Sequence, residues 1–479
     1  MSQIRWNNKQ FRNNEVTAHS QNLNDDVLAA SSAFFHILQE SSKRNTEIHQ
    51  LFLQLRHETL QHMSNLIISS SQIPNIEKAK PTFIDSSPSQ NTISNINTIS
   101  QYPDSDLHAE FDKDDLIELA LGSVSKCFGQ DFAVLEGRRI PRIPNGDLLL
   151  FDRVLQITGT RMSINQPAFI VTEFHVPDNA WFFQANSYLA IPTAIIMEMA
   201  LQPCGFLSAY LGTSLLFPEK EYLFRNLDGH SELYFVPDLR GKTVVNRAHL
   251  LSSISGGGTI IQKFRFELSC GEESFYRGES TFGYFTPSTM ANQTGLDKGN
   301  QTYSFSEDKN LPLQQLDTAK FISAQSPYYR LPGGKLNLLD SFWIMRDGGA
   351  YEKGYIYADK FITAHEWFFP CHFYQDPVMP GSLGVEAILN AFKAYALSLD
   401  LGRQFKSPRF GLVKNIPFDW KYRGQIIPSS KKFSLEIHIA EIKATSSQVI
   451  LLGDANLWAD GIRIYEIKNA AIRIIEGKK

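Results

Sequence analysis

The chain has few cysteines and no excess of charge of either sign. Its 479 residues include four cysteines, which are widely separated and form no CxxC pair. This spacing argues against a disulfide framework or a zinc site and favours reduced thiols inside a cell. The 46 basic and 50 acidic residues nearly cancel, and no basic stretch alternates with aromatic residues. We therefore expect no nucleic-acid partner.

The sequence also lacks a long uninterrupted apolar run. Its first residues, MSQIRWNNKQFRNN, are polar, so no secretory signal is expected. The apolar stretch AIIMEMALQPCGFLSAYL is interrupted by Glu198, Pro203 and Gly205, which argues against a membrane span. The sequence has no phosphate-binding loop, no dinucleotide fingerprint and no carrier-type attachment serine. A soluble, cytoplasmic protein without a bound cofactor is expected.

The N-terminal part differs in composition from the rest. Residues 1–24 are rich in Asn and Gln and are predicted to be disordered. Residues 25–69 carry apolar side chains at helical spacing, which predicts one or two amphipathic helices. Residues 70–110 have the Ser-, Asn- and Thr-rich composition of a linker. We interpret residues 1–110 as a helical arm and linker, which either packs on its own protein or a neighbouring subunit, or docks another protein.

From Arg142 onwards the chain repeats itself. The stretch RIPNGDLLLFD at 142–152 returns as RLPGGKLNLLD at 330–340, a shift of 188 residues (330 − 142 = 188). Glu198 returns as Glu386 at the same shift. A common shift between distant landmarks indicates two copies of one module.

Each copy predicts the same order of elements. The aromatic triplets at 181–183 and 367–369 are predicted to be strands, each followed by a proline turn and a long apolar helix. Several segments with period-two alternation follow each helix. We predict a first domain at 111–300 and a second at 301–479, both of the α+β class with one long helix and many antiparallel strands.

The second copy carries a histidine, His372, between its aromatic triplet and the prolines. Gly381 follows those prolines where the helix is predicted to begin, so its N–H would lack an intrahelical acceptor and could bind a developing oxyanion. A histidine beside such a donor is suited to remove a proton α to a thioester carbonyl. Glu386 lies inside the apolar helix, where desolvation would raise its pKa and make it an acid near neutrality.

Each of these residues also has a purely structural explanation. His372 could be a hydrogen-bonded structural histidine, and Glu386 could be a partnered helix residue. Asp376 is predicted to cap and position its turn rather than to react. Cys371 is not expected to form a nucleophile pair with His372, since neighbours on a strand point to opposite faces. No third ligand accompanies His372 and Asp376, so no metal site is expected.

The combined pattern WFF-x-x-HF-x-x-DPVMPG-S-LG-x-E resembles the signature of bacterial 3-hydroxyacyl-(acyl-carrier-protein) dehydratases of the 3-hydroxydecanoyl type. The likeness is strongest over 367–390 and includes LLFDRV at 149–154. The two copies, with SVSKCFG before them, look more specifically like the dehydratase region of polyunsaturated-fatty-acid and iterative polyketide synthases. The resemblance covers roughly residues 113–479. It implies a tandem (double) hotdog fold, in which each half wraps an antiparallel sheet around a central helix.

In this family the base and the acid of one active site come from different hotdog units. The resemblance implies His372 as the base, the Gly381 N–H as the oxyanion donor, and Glu198 of the other copy as the acid. Asn186 stands where the second copy has His372, so the combination of Asn186 with Glu386 should be inactive. The implied reaction is dehydration of (3R)-3-hydroxyacyl thioesters on an acyl carrier protein to trans-2-enoyl thioesters, without a cofactor or metal.

Two features depart from the family pattern. Both copies carry Glu where isomerising members carry Asp, so an isomerase side activity stays open, and Thr193 replaces a glycine at the start of the first helix. The alternatives are an acyl thioesterase on the same fold and a non-catalytic scaffold subunit of a lipid synthase. The expected partners are an acyl carrier protein and other synthase subunits, the latter through residues 25–69. The two copies could pair within a monomer, or the chain could dimerise.

Overall fold

The computed structural model of the protein describes residues 109–163, 166–187, 190–256, 258–309, 311–322 and 326–477. All of them belong to the unit Thr98–Lys479. The predicted helical arm at 25–69 lies outside the described residues.

The strands form one antiparallel sheet of 14 strands. The first half contributes β1 (Arg153–Thr158), β2 (Ala168–His175), β3 (Leu223–Leu233), β4 (Thr243–Gly256), β5 (Thr259–Cys270) and β6 (Glu273–Phe285). The second half contributes β7 (Gln314–Gln315), β8 (Ser341–Met345), β9 (Tyr355–Phe361), β10 (Pro408–Gly411), β11 (Phe418–Tyr422), β12 (Lys432–Ala444), β13 (Gln448–Ala459) and β14 (Ile462–Glu476). The spatial order is β1-β2-β4-β5-β6-β3-β11-β14-β13-β12-β9-β8-β7, and β10 pairs with β14.

The two halves of the sheet join edge to edge through β3 and β11. Phe418 pairs with Ser231 and Lys421 pairs with Asp228, so the main-chain hydrogen bonds continue from one half into the other. The long strands of each half alternate between buried and exposed residues over most of their length, as in β5. This alternation places one face of the sheet against the core.

Helices pack on the sheet and form parts of the connections between strands. The described helices are α1 (Lys113–Leu121), α2 (Val124–Phe128), α3 (Trp181–Ala185), α4 (Thr193–Tyr210), α5 (Pro287–Ala291), α6 (Phe305–Asp308), α7 (Ala319–Ile322) and α8 (Gly381–Ser398). Helix α1 begins directly after Asp112, and the Asp112 and Asp115 side chains cap its start by a reciprocal capping box.

Each half of the sheet wraps one long helix. Helix α4 packs on β2, β4 and β5, whereas α8 packs on β8, β9, β12, β13 and β14, and the two helices contact each other. The stretch Thr193–Leu216 is long and apolar enough to cross a membrane, but most of it is buried beneath its own sheet, which is typical of a core helix. Two enclosed helices under one continuous antiparallel sheet make the tandem hotdog that the family resemblance implied, and they confirm the α+β class predicted from the repeat.

The strand prediction for the two aromatic triplets is wrong. The first triplet begins the short helix α3, and residues 367–371 form turns. A strand would send neighbouring side chains to opposite faces, whereas Phe368 and Phe369 are both buried. The two triplets also meet, because the rings of Trp181 and Trp367 pack edge to face with their centroids 5.0 Å apart.

Candidate active site

One cavity between the two halves brings the predicted residues together. His372 and Gly381 of the second half and Glu198 of the first half all line it. The cavity and its opening to solvent contain about 780 Å³ of space that is free of atoms, and apolar side chains such as Leu201 and Phe282 form much of its wall. An apolar cavity with a few convergent polar groups is the usual form of a small-molecule site.

His372 lies in the turn that leads to α8. Its Nδ1 atom is 3.0 Å from the Val378 carbonyl oxygen, which can only accept a hydrogen bond. Nδ1 therefore carries the hydrogen and donates it, and Nε2 keeps its lone pair. The Val378 N–H donates in return to the His372 carbonyl over 2.7 Å, which fixes the loop. Burial lowers the pKa of His372 to about 3, so the ring is neutral and can accept a proton.

Gly381 is the first residue of α8 and directly follows Pro380. Its N–H has no acceptor within the helix and lies at the positive end of the helix dipole. A side chain could not be added here, because a Cβ atom on Gly381 would lie 2.6 Å from the Cε2 atom of the Tyr422 ring. Glycine therefore allows the start of the helix to approach the cavity wall closely.

Glu198 comes from the middle of α4 in the first half and is 7% exposed. One carboxyl oxygen accepts from the Ser382 hydroxyl over 2.7 Å, and the other accepts from the Gln202 side-chain amide over 3.0 Å. Burial raises the pKa of Glu198, although both hydrogen bonds act in the opposite direction. The carboxyl group therefore holds a proton at a higher pH than an exposed glutamate does.

Gln202 is itself held in place by the main chain of the first half. Its side-chain amide donates to the Leu148 carbonyl over 2.7 Å, and its side-chain carbonyl accepts from the Leu150 N–H over 3.0 Å. With all these contacts made, Gln202 has a fixed orientation and holds the Glu198 carboxyl in one position.

Asp376 was predicted to cap its turn, but its carboxylate forms an ion pair across the two halves instead. The Arg225 guanidinium of β3 contacts the two Asp376 oxygens over 2.6 and 2.7 Å. Gln425 accepts two further hydrogen bonds from the same guanidinium. The pairing of β3 with β11 brings Arg225 to this turn, and the bidentate geometry holds the loop that carries His372.

The internal repeat relates Asn186 and Glu386 to the residues of this site, but their surroundings differ. Asn186 uses its side chain within its own loop, donating to the Ala190 carbonyl and accepting from the Ser187 N–H. Glu386 accepts from the Lys393 ammonium over 3.2 Å and from the Ala194 N–H at the start of α4.

The Glu386–Lys393 pair is almost completely shielded from solvent. The side chains of Lys393 and Glu386 are only 1% and 0% exposed. At the shift of 188 residues Lys393 corresponds to Gly205, which lines the cavity that contains His372. A lysine therefore stands in one half where the other half has no side chain.

An apolar cavity also exists on this side of the protein. Its lining includes Thr193, Tyr276, Leu412 and Val413. Among the described residues, neither Asn186 nor Glu386 lines this cavity. Asn186 and Glu386, the combination expected to be inactive, thus do not face the apolar cavity in which a ligand could bind.

Two further expectations concern thiols and metals. Burial raises the pKa of the Cys371 thiol, and within the described chain Cys371 is not among the residues lining the cavity. Its main-chain carbonyl instead accepts from Asn145 of the first half. No group of three or more His, Cys, Asp and Glu side chains in the described ranges is arranged to hold a metal ion.

Sequence reasoning missed several residues of this site. Gln202 lies four positions after Glu198 on one helix face, so the i, i+4 rule could have found it. Ser382 follows Gly381 directly, and its hydroxyl at the helix start was a visible signal. Arg225 and Tyr422 had no such signal, because strand pairing between distant segments places them at the cavity.

The chain is similar to known proteins in two ways. Residues 331–468 match the FabA-like domain family. Over 394 residues the chain is 32% identical to a polyunsaturated fatty acid synthase polypeptide of Thraustochytrium sp. (strain ATCC 26185 / S-3), an alignment that covers 76% of this chain and 26% of that protein. The chain thus contains a FabA-like hotdog domain, is homologous to part of that synthase polypeptide, and spans about a quarter of its length.

Solved structures with a similar arrangement have much lower identity. The dehydratase domain from the CurJ module of curacin polyketide synthase is 10% identical with a TM-score of 0.39, covering 67% of this chain and 96% of that one. The oleoyl thioesterase (putative) from Lactobacillus plantarum is 10% identical with a TM-score of 0.37, covering 65% and 97%.

Proposed function

We propose that this chain is a dehydratase that removes water from 3-hydroxyacyl thioesters to give trans-2-enoyl thioesters. One observation carries the proposal: a neutral imidazole and a carboxyl group with a raised pKa, from opposite halves, line one cavity beside the start of a helix. Elimination of water needs a base at C2 and an acid at the C3 oxygen at the same time. Burial shifts the pKa values of His372 and Glu198 in the directions that these two roles need, toward a neutral imidazole and a protonated carboxyl group.

The proposed reaction balances within the site. Nε2 of His372 takes the C2 proton, and the electron pair of that bond forms the C2–C3 double bond. The C3–O bond breaks, and the departing oxygen takes the proton of Glu198 and leaves as water. The Gly381 N–H stabilises the negative charge that develops on the thioester oxygen. His372 ends as imidazolium and Glu198 as carboxylate, and a proton transfer through solvent restores both.

A thioesterase is the alternative on this fold, and the state of Glu198 disfavours it. Hydrolysis of that type uses an ionised carboxylate to activate water, whereas burial raises the pKa of Glu198 and favours its protonated form. A neutral histidine hydrogen-bonded through Nδ1 also has no role in that reaction. The isomerase side activity is not part of this proposal.

The test uses two thioesters of equal chain length. A 3-hydroxyacyl thioester should give the ultraviolet absorbance of an enoyl thioester, and a saturated acyl thioester should release no free thiol. Release of thiol without enoyl formation would favour the thioesterase. His372→Ala should abolish enoyl formation, and unchanged activity in this variant would contradict the proposal.

The partners are proposed from the synthase relative. We expect the substrate to arrive on an acyl carrier protein and the enoyl product to pass to another synthase domain, because such synthases keep intermediates tethered to a carrier. A higher kcat/KM for a carrier-bound substrate than for the same acyl group on a short thiol would support this. Equal values for the two substrates would contradict it.

A further inference from the structure

Tyr422 places a hydroxyl group in the cavity wall that no group of the described residues satisfies. It lies at the end of β11, is 5% exposed and lines the cavity. Within the described residues its hydroxyl is buried and has no hydrogen-bond partner. Buried tyrosine hydroxyls normally find one, because an unpaired buried donor has lost the hydrogen bonds that water would give it. Tyr276 and Tyr284, for example, are bonded to Ser231 and Ser208.

The surroundings of this hydroxyl point to a ligand. The Cζ atom of Tyr422, which carries the oxygen, lies 3.0 Å from where a Cβ atom on Gly381 would be, so the ring edge borders the start of α8. Its other flank packs on Tyr465, with ring centroids 4.3 Å apart. Burial raises the pKa of Tyr422 far above its usual value, and the nearby Tyr465 and Glu198 act in the same direction. The phenol is therefore a permanent donor beside the proposed acid.

We propose that the Tyr422 hydroxyl donates a hydrogen bond to the 3-hydroxyl oxygen of the bound acyl chain. This inference rests on the proposed dehydratase function. The thioester oxygen already has the Gly381 N–H, whereas the 3-oxygen must lie next to Glu198 to receive its proton. As the C3–O bond breaks, negative charge grows on this oxygen and the bond from Tyr422 strengthens. Tyr422 would thus select chains that carry a 3-hydroxyl group and help the leaving group depart.

The experiment compares binding of two ligands in variants that cannot turn over. On a His372→Ala background, dissociation constants are measured for a 3-hydroxyacyl thioester and for the saturated thioester of the same length. The added Tyr422→Phe change should reduce the preference for the 3-hydroxy ligand about tenfold, the usual size of one hydrogen bond. It removes a single oxygen and preserves the ring that packs against Gly381.

Tyr222 provides a matched control. Its hydroxyl is also buried without a partner in the described part of the chain, but Tyr222 does not line the cavity. Tyr222→Phe should leave the ligand preference unchanged, and both variants should be as stable as the parent. An unchanged preference in Tyr422→Phe, or an equal loss of affinity for both ligands, would overturn the inference.

The two proposals fail in different ways. If the wild-type chain forms no enoyl product, the proposed function is wrong. If the wild-type chain forms enoyl product and Tyr422→Phe keeps the full preference for the 3-hydroxy ligand, the inference about Tyr422 is wrong and the dehydratase proposal stands. In the wild-type background, Tyr422→Phe should lower kcat as well as raise KM, because the bond strengthens in the transition state.

Discussion

Ser382 in the first turn of α8 donates its hydroxyl hydrogen to Glu198 in the middle of α4, over 2.7 Å. The bond crosses from the second half to the first and begins one residue after Gly381. Because Ser382 is the chain neighbour of Gly381, its hydrogen bond also fixes the position of the proposed acid, Glu198, relative to the proposed oxyanion donor, the Gly381 N–H.

Glu198→Gln should abolish dehydration and leave the protein folded. An amide has the shape of the carboxyl group but no proton to give, so kcat should fall about 10²–10⁴-fold, the range for general acid catalysis. Ser382→Ala is the graded comparison, because it keeps the acid and removes one hydrogen bond to it. A loss of about tenfold is expected there. Turnover at the wild-type rate in Glu198→Gln would contradict the assignment of the acid.

The pH dependence of kcat/KM should report the two unusual pKa values. The active form needs neutral His372 and protonated Glu198. Because burial lowers the pKa of His372 to about 3, no acidic limb should appear near 6.5, its ordinary value. Because burial raises the pKa of Glu198, activity should be lost as pH rises through that higher pKa.

Ser382→Ala tests the sign of this effect. The Ser382 hydrogen bond lowers the pKa of Glu198, so removing it should move the alkaline limb to higher pH. The result that would contradict the pH prediction concerns His372. A value of kcat/KM that rises with pH through 6.5 would indicate that His372 titrates like an ordinary, exposed histidine.

Glu386→Gln should destabilise the protein more than it slows catalysis. The sequence assigns Glu386 to the combination expected to be inactive, and the structure pairs it with the Lys393 ammonium in a fully buried position. Removing one member of such a pair typically costs about 3–5 kcal/mol. Urea denaturation should show this loss, whereas the rate per folded molecule should stay close to that of the wild type.

The double variant Glu386→Gln, Lys393→Met provides the control for this prediction. Removing both charges should restore most of the stability, since no unpaired charge is then left buried. A large loss of kcat in folded Glu386→Gln would show that this carboxylate takes part in catalysis.

Asp376→Asn should impair catalysis through the loop that holds His372. The change removes the charge that pairs with Arg225, and Val378, which orients the His372 ring, lies two residues further on. We expect kcat to fall about tenfold and stability to fall by about 1–3 kcal/mol.

Asp297→Asn is the matched control for this change. Asp297 forms a similar two-point pair with Arg463, with a bond of 2.9 Å from Nε, and does not line the cavity within the described residues. It should cost similar stability and leave kcat unchanged. Equal losses of kcat in both variants would mean that Asp376 acts only through stability.

Much of the fold could be predicted because the repeat is visible in the sequence. Glu198 and Glu386, 188 residues apart, both lie in enclosed helices, and Gly381 begins α8 as predicted. The resemblance also implied that His372 and Glu198 share one site, and they line one cavity. Their chemical roles stay predictions that the variants above test.

The remaining features depend on contacts that no local pattern encodes. The aromatic triplets have strand-like composition, but packing of Trp181 on Trp367 across the halves favours turns and a short helix. Arg225 and Tyr422 reach the cavity through the pairing of β3 with β11, which local periodicity does not reveal. The sequence places Lys393 in an apolar helix, but only the structure shows that it is buried beside Glu386.

The proposed base and acid belong to one covalent chain, and the hydrogen-bonded seam between β3 and β11 holds together the two halves that carry them. A catalytic pair shared between separate molecules separates on dilution, so its rate per molecule falls when the protein is scarce. In this chain the local concentration of Glu198 around His372 does not depend on the protein concentration. The turnover number should therefore be the same at the lowest enzyme concentration that can be assayed as at the highest.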